Sequence, residues 1–169
     1  IVCISCGFFT TKNGPLEFRV KSFASPEEAE VLQDFADLVQ RMPQYVLCAH
    51  NGKEFDFPYI SRRMLINAIP LPVQFNNAGK KPWEVPHLDT LELWKFGDYK
   101  NYTSLKLLAA IFDIPTPKDD IDGSMVGDVY WKENDLDRIQ VYCEKDVLTL
   151  AKVFLKINQI YAPQAFDQF

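Results

Sequence analysis

Long apolar runs, basic charge and histidine are all scarce in this sequence of 169 residues. No stretch approaches the roughly 20 apolar residues that a membrane-spanning helix requires, and the first residues lack the basic region and cleavage site of a secretory signal. The 18 Lys and Arg residues against 23 Asp and Glu leave a formal net charge of −5, which argues against binding nucleic acid by a broad basic surface. An acidic site that contacts phosphate through bound cations remains compatible with this charge. These absences predict a cytoplasmic protein that does not act at a membrane.

Several catalytic and metal-binding motifs are also missing. The sequence has no Gly-x-Ser-x-Gly elbow, and its two histidines exclude a His-rich zinc site. The Gly79-Lys80 pair lacks the leading glycine and the Ser or Thr of a phosphate-binding loop. Cys3 and Cys6 have the spacing of half a zinc site, but side chains three apart on a strand point to opposite faces, and there is no second pair. The four cysteines are therefore predicted to be free thiols in a reducing compartment.

What is present is an ordinary globular composition, with 47% hydrophobic and 24% charged residues. The sequence contains no internal repeat and no low-complexity tract, so we expect one domain over residues 1–169. Because the chain begins without methionine and inside an apolar strand, we also expect it to be a fragment of a longer polypeptide.

Periodicity and turn signals predict alternating strands and helices. An apolar run, an Asn13-Gly14 turn and an alternating run predict a β-hairpin of residues 1–10 and 16–21, with its first strand buried on both faces. Short strands are expected at residues 45–49 and 87–91. Helices are expected from Ser25-Pro26 to about residue 42, at 58–69, from Thr103 or Ser104 to 112, and at 135–161 after Asn134 as cap. This order predicts an α/β fold with helices packed on a mixed sheet.

Two aspartates lie where an α/β fold could use them, although each has a simpler explanation when taken alone. Asp56 follows a strand and a tight loop at a helix start, where Asp is a favoured cap, but strand ends of such sheets also face ligands. Asp146 lies one turn after Tyr142 beside the apolar stripe of the last helix, where an acid requires a partner, solvent or a metal. That stripe comprises Ile139, Cys143, Val147, Leu150, Phe154 and Ile157. Asp89 is interpreted as a hydrogen-bonding group at a strand end rather than as a supporting acid of a site.

Two motifs together change this interpretation. Asn51-x-x-x-Phe55-Asp56, followed by Tyr142-x-x-x-Asp146, resembles the second and third motifs of DnaQ-like, ribonuclease-H-like 3′–5′ exonucleases of the DEDDy type. The resemblance is closest to the proofreading exonuclease domains of family B DNA polymerases and to stand-alone bacterial relatives. It continues through residues 58–60, 102–105 and 142–147 and so covers most of the chain.

The resemblance implies a ribonuclease-H-like mixed sheet flanked by helices. It also implies a metal-dependent exonuclease that acts on the free 3′ end of single-stranded DNA or RNA, DNA being favoured. Asp56 and Asp146 would be catalytic ligands of two divalent cations, Mg²⁺ or Mn²⁺, which prefer carboxylate oxygens. Tyr142 would orient or assist the attacking water, and Asn51 and Phe55 would shape the substrate cleft. A DNA polymerase or repair protein is a possible partner.

The first motif of that family, Asp-x-Glu on a central strand, does not occur in this sequence. We expect the motif and its strand upstream of residue 1, so that these 169 residues hold half of the carboxylate set. The Asp-x-Asp strings at residues 120–122 and 135–137 are interpreted as solvated polar groups, because one lies in a loop and the other at a helix start. The alternative function is a catalytically silent ribonuclease-H-like module that binds nucleic acid or a polymerase. An ordinary α/β scaffold with chance motifs is a third possibility.

Overall fold

A computed structural model describes residues 1–12, 14–98, 100–115 and 120–159 of the chain. The elements follow one another as β1 (Cys3–Thr10), β2 (Glu17–Ala24), α1 (Glu28–Gln40), β3 (Cys48–Ala49), α2 (Asp56–Ile66), β4 (Leu88–Asp89), α3 (Thr90–Lys95), α4 (Leu105–Ile111), α5 (Val126–Asp128) and α6 (Leu136–Ile157). Short 3₁₀ turns lie at Val73–Phe75 and Pro82–Glu84, and a π-helical turn lies at Val129–Glu133. The chain divides into two units, one comprising Ile1–Val2 and Ser25–Tyr102 and the other comprising Cys3–Ala24 and Thr103–Phe169. The prediction of a single domain stays a prediction.

In the first unit, α1 packs against α2. The Glu28 carboxylate joins these helices by accepting hydrogen bonds from Arg63 Nε at 2.8 Å and from Asn67 Nδ2 at 3.0 Å. Burial of apolar side chains supplies the main stabilisation of such a packed layer. The buried apolar residues of this unit are Val31, Leu32, Phe35, Ala36, Val39, Phe57, Met64, Ile69, Phe75 and Leu91.

The first unit also contains a small parallel sheet. β3 pairs with β4, and Ala49 lies opposite Asp89. The strands predicted at 45–49 and 87–91 are therefore correct in place but too long. Tyr45 N donates to Met42 O at 3.1 Å in a turn, which occupies the amide that a strand would pair, and α3 already begins at Thr90. Because the carboxyl ends of parallel strands share one edge, the loop after β3 and the start of α3 are neighbours.

The second unit is built on an antiparallel hairpin. β1 pairs with β2 from Cys3 opposite Ala24 to Thr10 opposite Glu17, which confirms the predicted hairpin. Residue 13 of its turn lies outside the described residues. α6 packs on both strands and against α4. The buried apolar residues of this unit are Ile4, Phe23, Leu108, Ala109, Ile114, Ile121, Val129, Ile139, Ala151, Val153 and Leu155.

The prediction that the first strand is buried on both faces is wrong. Ile4 is the buried residue of β1, whereas Gly7 and Phe8 are exposed. Among the described residues β1 pairs with β2 alone, so no second strand covers its other edge there. The mixed α/β class is confirmed, with two-stranded sheets in the described part of the chain. The ribonuclease-H-like sheet stays a prediction.

Helix caps show how local rules succeed and fail. Ser104 caps α4 as predicted, because its Oγ accepts a hydrogen bond from Leu107 N at 3.2 Å. The cap predicted at Asn134 is wrong, since the Asp135 carboxylate accepts from Arg138 N at 3.0 Å and caps α6. Asn134 instead has a left-handed conformation (φ 54°) at the end of the π-helical turn.

Other helix boundaries are displaced by a few residues. α1 begins at Glu28, because Ser25 Oγ accepts from Glu27 N at 3.1 Å and so orders the turn before the helix. α2 occupies Asp56–Ile66 instead of residues 58–69. α6 ends at Ile157, and the predicted end at residue 161 lies outside the described residues. Within residues covered by the structure, no helix has both the length and the apolar character needed to cross a membrane.

Candidate functional site

The loop between β3 and α2 carries the residues predicted as the second motif. Asn51 has a left-handed backbone conformation (φ 59°), which Asn tolerates better than most residues other than Gly. This conformation reverses the chain directly after the strand. Phe55 N then donates to Asn51 O at 3.1 Å, and Phe57 N donates to Gly52 O at 2.9 Å. The loop is therefore closed by its own backbone hydrogen bonds onto the start of α2.

Gly52 is required in this loop because there is no room for a side chain. A Cβ atom built on Gly52 would lie 2.3 Å from Ala49 Cβ, much closer than two carbon atoms can approach. The same atom would lie 3.3 Å from Asp56 Oδ2 and 3.3 Å from the Phe57 ring. The missing side chain thus allows the Asp56 carboxylate to lie against the loop.

Asp56 is the first residue of α2, and its carboxylate does not cap the helix. The N-cap is Phe55, and no side chain makes a capping hydrogen bond there. Burial raises the pKa of the Asp56 carboxyl, and the negative charge of Asp89 raises it further. A half-buried carboxylate beside a second carboxylate gains stability from a nearby positive charge. A cation next to Asp56 would therefore stabilise the ionised form of its carboxyl.

Asp89 lies at the end of β4, is 3% exposed, and is bound by backbone amides. It accepts hydrogen bonds from Asn51 N at 2.8 Å, Lys53 N at 3.1 Å and Leu91 N at 2.9 Å. Asp89 therefore makes the hydrogen bonds that were predicted for it at a strand end. Sequence reasoning did not foresee that two of its donors belong to the motif loop. The sequence offered one indication of this contact, because the motif loop and Asp89 both lie at the ends of predicted strands.

An aromatic pair stands beside Asp56 on the surface of the first unit. The rings of Phe55 and Tyr59 are stacked, with centroids 6.0 Å apart and planes inclined by 1°. Phe55 is 63% exposed and Tyr59 is 44% exposed. Exposed aromatic faces can stack on unpaired bases. The pair therefore offers a surface on which a nucleobase could lie.

The third motif lies on α6 in the second unit. Tyr142 and Asp146 are separated by one helical turn, so both project from neighbouring positions of one helix face. Both side chains are half-buried. Tyr142 lines a cavity of about 90 Å³, which is bounded by Asp120, Ile121, Arg138, Val141, Tyr142 and Lys145.

The apolar stripe predicted around Asp146 is only partly correct. Ile139 is buried, but the other five stripe residues are half-buried, and the fully buried residues near the end of α6 are Ala151, Val153 and Leu155. Spacing along a helix defines a face, whereas the neighbouring elements decide which part of that face is covered. Within the second unit, the hairpin and α4 are the neighbours that decide it.

The cysteines are free thiols, as predicted. Cys3 on β1 and Cys143 on α6 are hydrogen-bonded to each other, and this contact lowers the pKa of the Cys3 thiol and raises that of Cys143. Burial raises the pKa of the Cys6 thiol to about 11. The raised pKa values of Cys6 and Cys143 disfavour their thiolates, and the thiolate is the form of cysteine that binds metal.

A divalent cation would suit the chemistry of Asp56 and Asp146, because hard cations prefer carboxylate oxygens. Nevertheless, no group of three or more His, Cys, Asp and Glu side chains that could hold a metal occurs in the described ranges. The Asp-x-Asp strings do not supply one. Asp120 is paired with Arg138, and Asp122 accepts a hydrogen bond from Ser124 N at 2.8 Å. Carboxylate oxygens are therefore suitable ligands for a divalent cation, but neither unit brings together enough of them among the described residues to form a metal site.

Comparison with known proteins identifies a family. The model of a family described as predicted 3′–5′ exonucleases related to the exonuclease domain of PolB matches residues 1–167. No curated protein and no solved structure matches the chain.

Proposed function

The chain belongs to the family of predicted 3′–5′ exonucleases related to the exonuclease domain of PolB, and we propose that it removes nucleotides from the 3′ end of single-stranded nucleic acid, DNA in preference to RNA. The observation that carries this proposal is the family match, which includes both motif segments within residues 1–167. We further propose a ribonuclease-H-like fold.

We propose Asp56 and Asp146 as ligands of two divalent cations, Mg²⁺ or Mn²⁺. When bound, such cations lower the pKa of a coordinated water and stabilise charge on the reacting phosphate. The protein's contribution is to orient the two carboxylates, and bound cations would favour their ionised form. For Asp56, support comes from its fixed place at the start of α2 and from the burial that makes an adjacent positive charge favourable. The remaining carboxylates of a full site lie outside the two motifs of this chain.

Tyr142 is the proposed group that orients the attacking water. A phenolic hydroxyl can donate one hydrogen bond and accept another, so it can fix the direction of a water lone pair. Its position one turn before Asp146 allows a single helix to present the hydroxyl and the carboxylate together. Tyr142 is half-buried and lines a cavity of about 90 Å³.

The stacked Phe55 and Tyr59 rings support a single-stranded substrate. Bases in a duplex are already stacked on each other, whereas an unpaired terminal base can lie against an exposed ring. Asn51 is proposed to contribute a polar contact in the same loop. The charge of −5 is compatible with this mode, because the strand would be held by stacking and by cations rather than by a broad basic surface.

One observation favours a second function, a catalytically silent module that binds nucleic acid or a polymerase. The described residues contain no three-ligand metal group, and the sequence contains no Asp-x-Glu. A module without metal would still offer the aromatic pair to a single strand. It would bind such a strand without shortening it.

The test is a nuclease assay on the full-length protein with a 5′-labelled single-stranded oligonucleotide that has a free 3′ end. We expect stepwise shortening in Mg²⁺ or Mn²⁺, none in EDTA, and loss of activity in Asp56→Asn and Asp146→Asn. Asp128→Asn is the control, because this exposed carboxylate pairs with Lys132 at 2.8 Å on the surface. Full activity of Asp146→Asn would contradict the site, and binding without any cleavage would favour the silent module. An RNA oligonucleotide of the same sequence tests the preference for DNA.

A further inference from the structure

The carboxylate of Asp89 is buried, and its two oxygens have different partners. Oδ1 accepts from Asn51 N at 2.8 Å and from Leu91 N at 2.9 Å. Oδ2 accepts from Lys53 N at 3.1 Å. Burial of a carboxylate is unfavourable by several kcal/mol unless hydrogen bonds satisfy it. Three backbone amides make Asp89 a well-satisfied buried acid, and its bonds join α3 to the loop after β3.

The amides of Asn51 and Lys53 flank Gly52, and both point at the same carboxylate. The left-handed conformation of Asn51 (φ 59°) produces this arrangement, since amides on either side of such a turn converge on one anion. The donors lie 38 and 36 residues before Asp89 in the chain. Asp89, which is not part of the loop, therefore holds the beginning of the loop in place.

The far end of the loop is connected to this anchor by the backbone. Phe55 N donates to Asn51 O at 3.1 Å, and Phe57 N donates to Gly52 O at 2.9 Å. Asp56 lies between these two donors. Its carboxylate approaches Gly52 so closely that a Cβ there would be 3.3 Å from Oδ2. Any shift of Asn51 or Gly52 is thus transmitted to Asp56.

We propose that Asp89 is a positioning residue for the site: its Oδ1 holds Asn51 and caps α3, while its Oδ2 holds Lys53 and so determines where the Asp56 carboxylate stands. The catalytic consequence rests on the proposed exonuclease function. The attachment of the loop to Asp89 does not rest on that function, because it is given by the hydrogen bonds themselves. Asp89 accepts three backbone hydrogen bonds through its two oxygens, and these bonds fix its own position.

Asp89→Asn tests the separate tasks of the two oxygens. An amide can keep its carbonyl oxygen on Asn51 N and Leu91 N, but its NH₂ group then faces Lys53 N, which is also a donor. In the full-length protein we expect the Lys53 amide to exchange with solvent about 10-fold faster or more, while the Asn51 and Leu91 amides stay protected. We also expect turnover to fall, and the Mn²⁺ concentration for half-maximal activity to rise, by about 10- to 100-fold with little change in KM.

The matched control is Asp98→Asn. The Asp98 carboxylate also accepts a backbone hydrogen bond, from Lys100 N at 3.0 Å, but it lies in an exposed turn after α3. It loses the same charge in the same unit without touching the motif loop. Turnover and the Mn²⁺ requirement should therefore equal those of the wild type.

The outcomes separate this inference from the proposed function. Unchanged turnover and an unchanged Mn²⁺ requirement in Asp89→Asn, with an active wild type, would overturn the positioning role. If the wild type has no nuclease activity, the proposed function fails, and amide exchange alone decides the attachment of the loop. If Asp89→Asn does not fold, amide exchange in the wild type tests the attachment of the loop. Asn51 and Lys53 amides that are as protected as the Leu91 amide support the inference. Unprotected Asn51 and Lys53 amides contradict it.

Discussion

Gly52 and Asp56 are packed so closely that a methyl group on Gly52 would stand 3.3 Å from the Asp56 Oδ2 atom. On its other side this methyl group would lie 2.3 Å from Ala49 Cβ. The loop therefore couples the end of β3 directly to the carboxylate that we propose as a metal ligand. Several substitutions in and around this loop have predictable effects.

Gly52→Ala should destabilise the protein and displace Asp56. Ala49 cannot yield without moving β3, so we expect a loss of about 1–3 kcal/mol in the free energy of unfolding, as for other overpacked sites. Urea titration measures this loss, and the nuclease assay measures the effect on Asp56. Gly127→Ala is the control, because nothing lies within 4 Å of a Cβ added there. Equal stabilities of the two variants would contradict the close packing at Gly52.

Asn51→Ala and Asn51→Gly should separate the backbone role of this residue from its side-chain role. At a φ of 59°, Ala is strained by about 1–2 kcal/mol relative to Gly. Asn51→Gly should therefore unfold at higher urea concentration than Asn51→Ala. Both variants lack the side chain, so a shared increase in KM for the oligonucleotide would indicate a substrate contact. If Asn51→Ala is as stable as Asn51→Gly, the left-handed conformation does not persist in solution.

Tyr142→Phe should reduce turnover and spare metal binding. The ring still fills its place in the wall of the cavity, and only the hydroxyl is lost. A group that assists proton transfer contributes about 100-fold or more, so a decrease of this order is expected in kcat. Calorimetric titration with Mn²⁺ should give wild-type affinity. Tyr130→Phe, which removes a hydroxyl from a ring packed against Trp131, is the matched control.

Full kcat in Tyr142→Phe would contradict the proposed role of the hydroxyl. Weakened Mn²⁺ binding would instead indicate that the hydroxyl supports the metal site. The two measurements together therefore distinguish a role in orienting water from a role in binding cations.

Glu28→Gln should remove an acid-sensitive contribution to stability. Hydrogen bonds from Arg63, from the Ile1 amino group and from Asn67 together lower the pKa of the Glu28 carboxyl from 4.5 to about 2, and Arg63 has the largest effect. Because the folded-state pKa lies below the ordinary value, the contribution is fully present above about pH 5 and is lost as the pH falls from 4.5 towards 2. We expect Glu28→Gln to be less stable by about 1–3 kcal/mol at neutral pH, and the difference from wild type to shrink through this range.

Urea unfolding of both proteins between pH 6 and pH 2.5 measures this difference. Glu17→Gln is a suitable control, because the Glu17–Arg19 pair is more exposed, with 32% and 49% of the two side chains accessible. A constant difference between wild type and Glu28→Gln at all pH values would show that the Glu28–Arg63 pair does not titrate as proposed.

Local chemistry in the sequence was sufficient to predict several elements. The hairpin follows from an apolar run, an Asn-Gly turn and an alternating run, all within residues 1–24. Ser104 is a helix cap because its hydroxyl satisfies an amide three residues later. Where two local candidates compete, as Asn134 and Asp135 do, the sequence does not distinguish them, since either side chain can accept the same hydrogen bond.

The two motifs belong to what the sequence determined by itself. Asn51 lies in the loop that leads into α2, and Asp56 is the first residue of that helix. Tyr142 and Asp146 lie one turn apart on α6, so spacing alone relates the members of each motif. The family that these spacings indicate is the family that matches residues 1–167. The meeting of Asp56 with Asp146, and the strand expected to carry Asp-x-Glu, stay predictions.

Only the tertiary structure decided what surrounds each motif. The hydrogen bond from Asn51 N to Asp89 spans 38 residues, and no periodicity or turn rule relates positions so far apart. The same applies to the raised pKa of Asp56, which depends on burial and on the charge of Asp89. Sequence patterns report the conformation of adjacent residues, whereas the position and charge state of a buried group depend on which distant groups the fold brings against it.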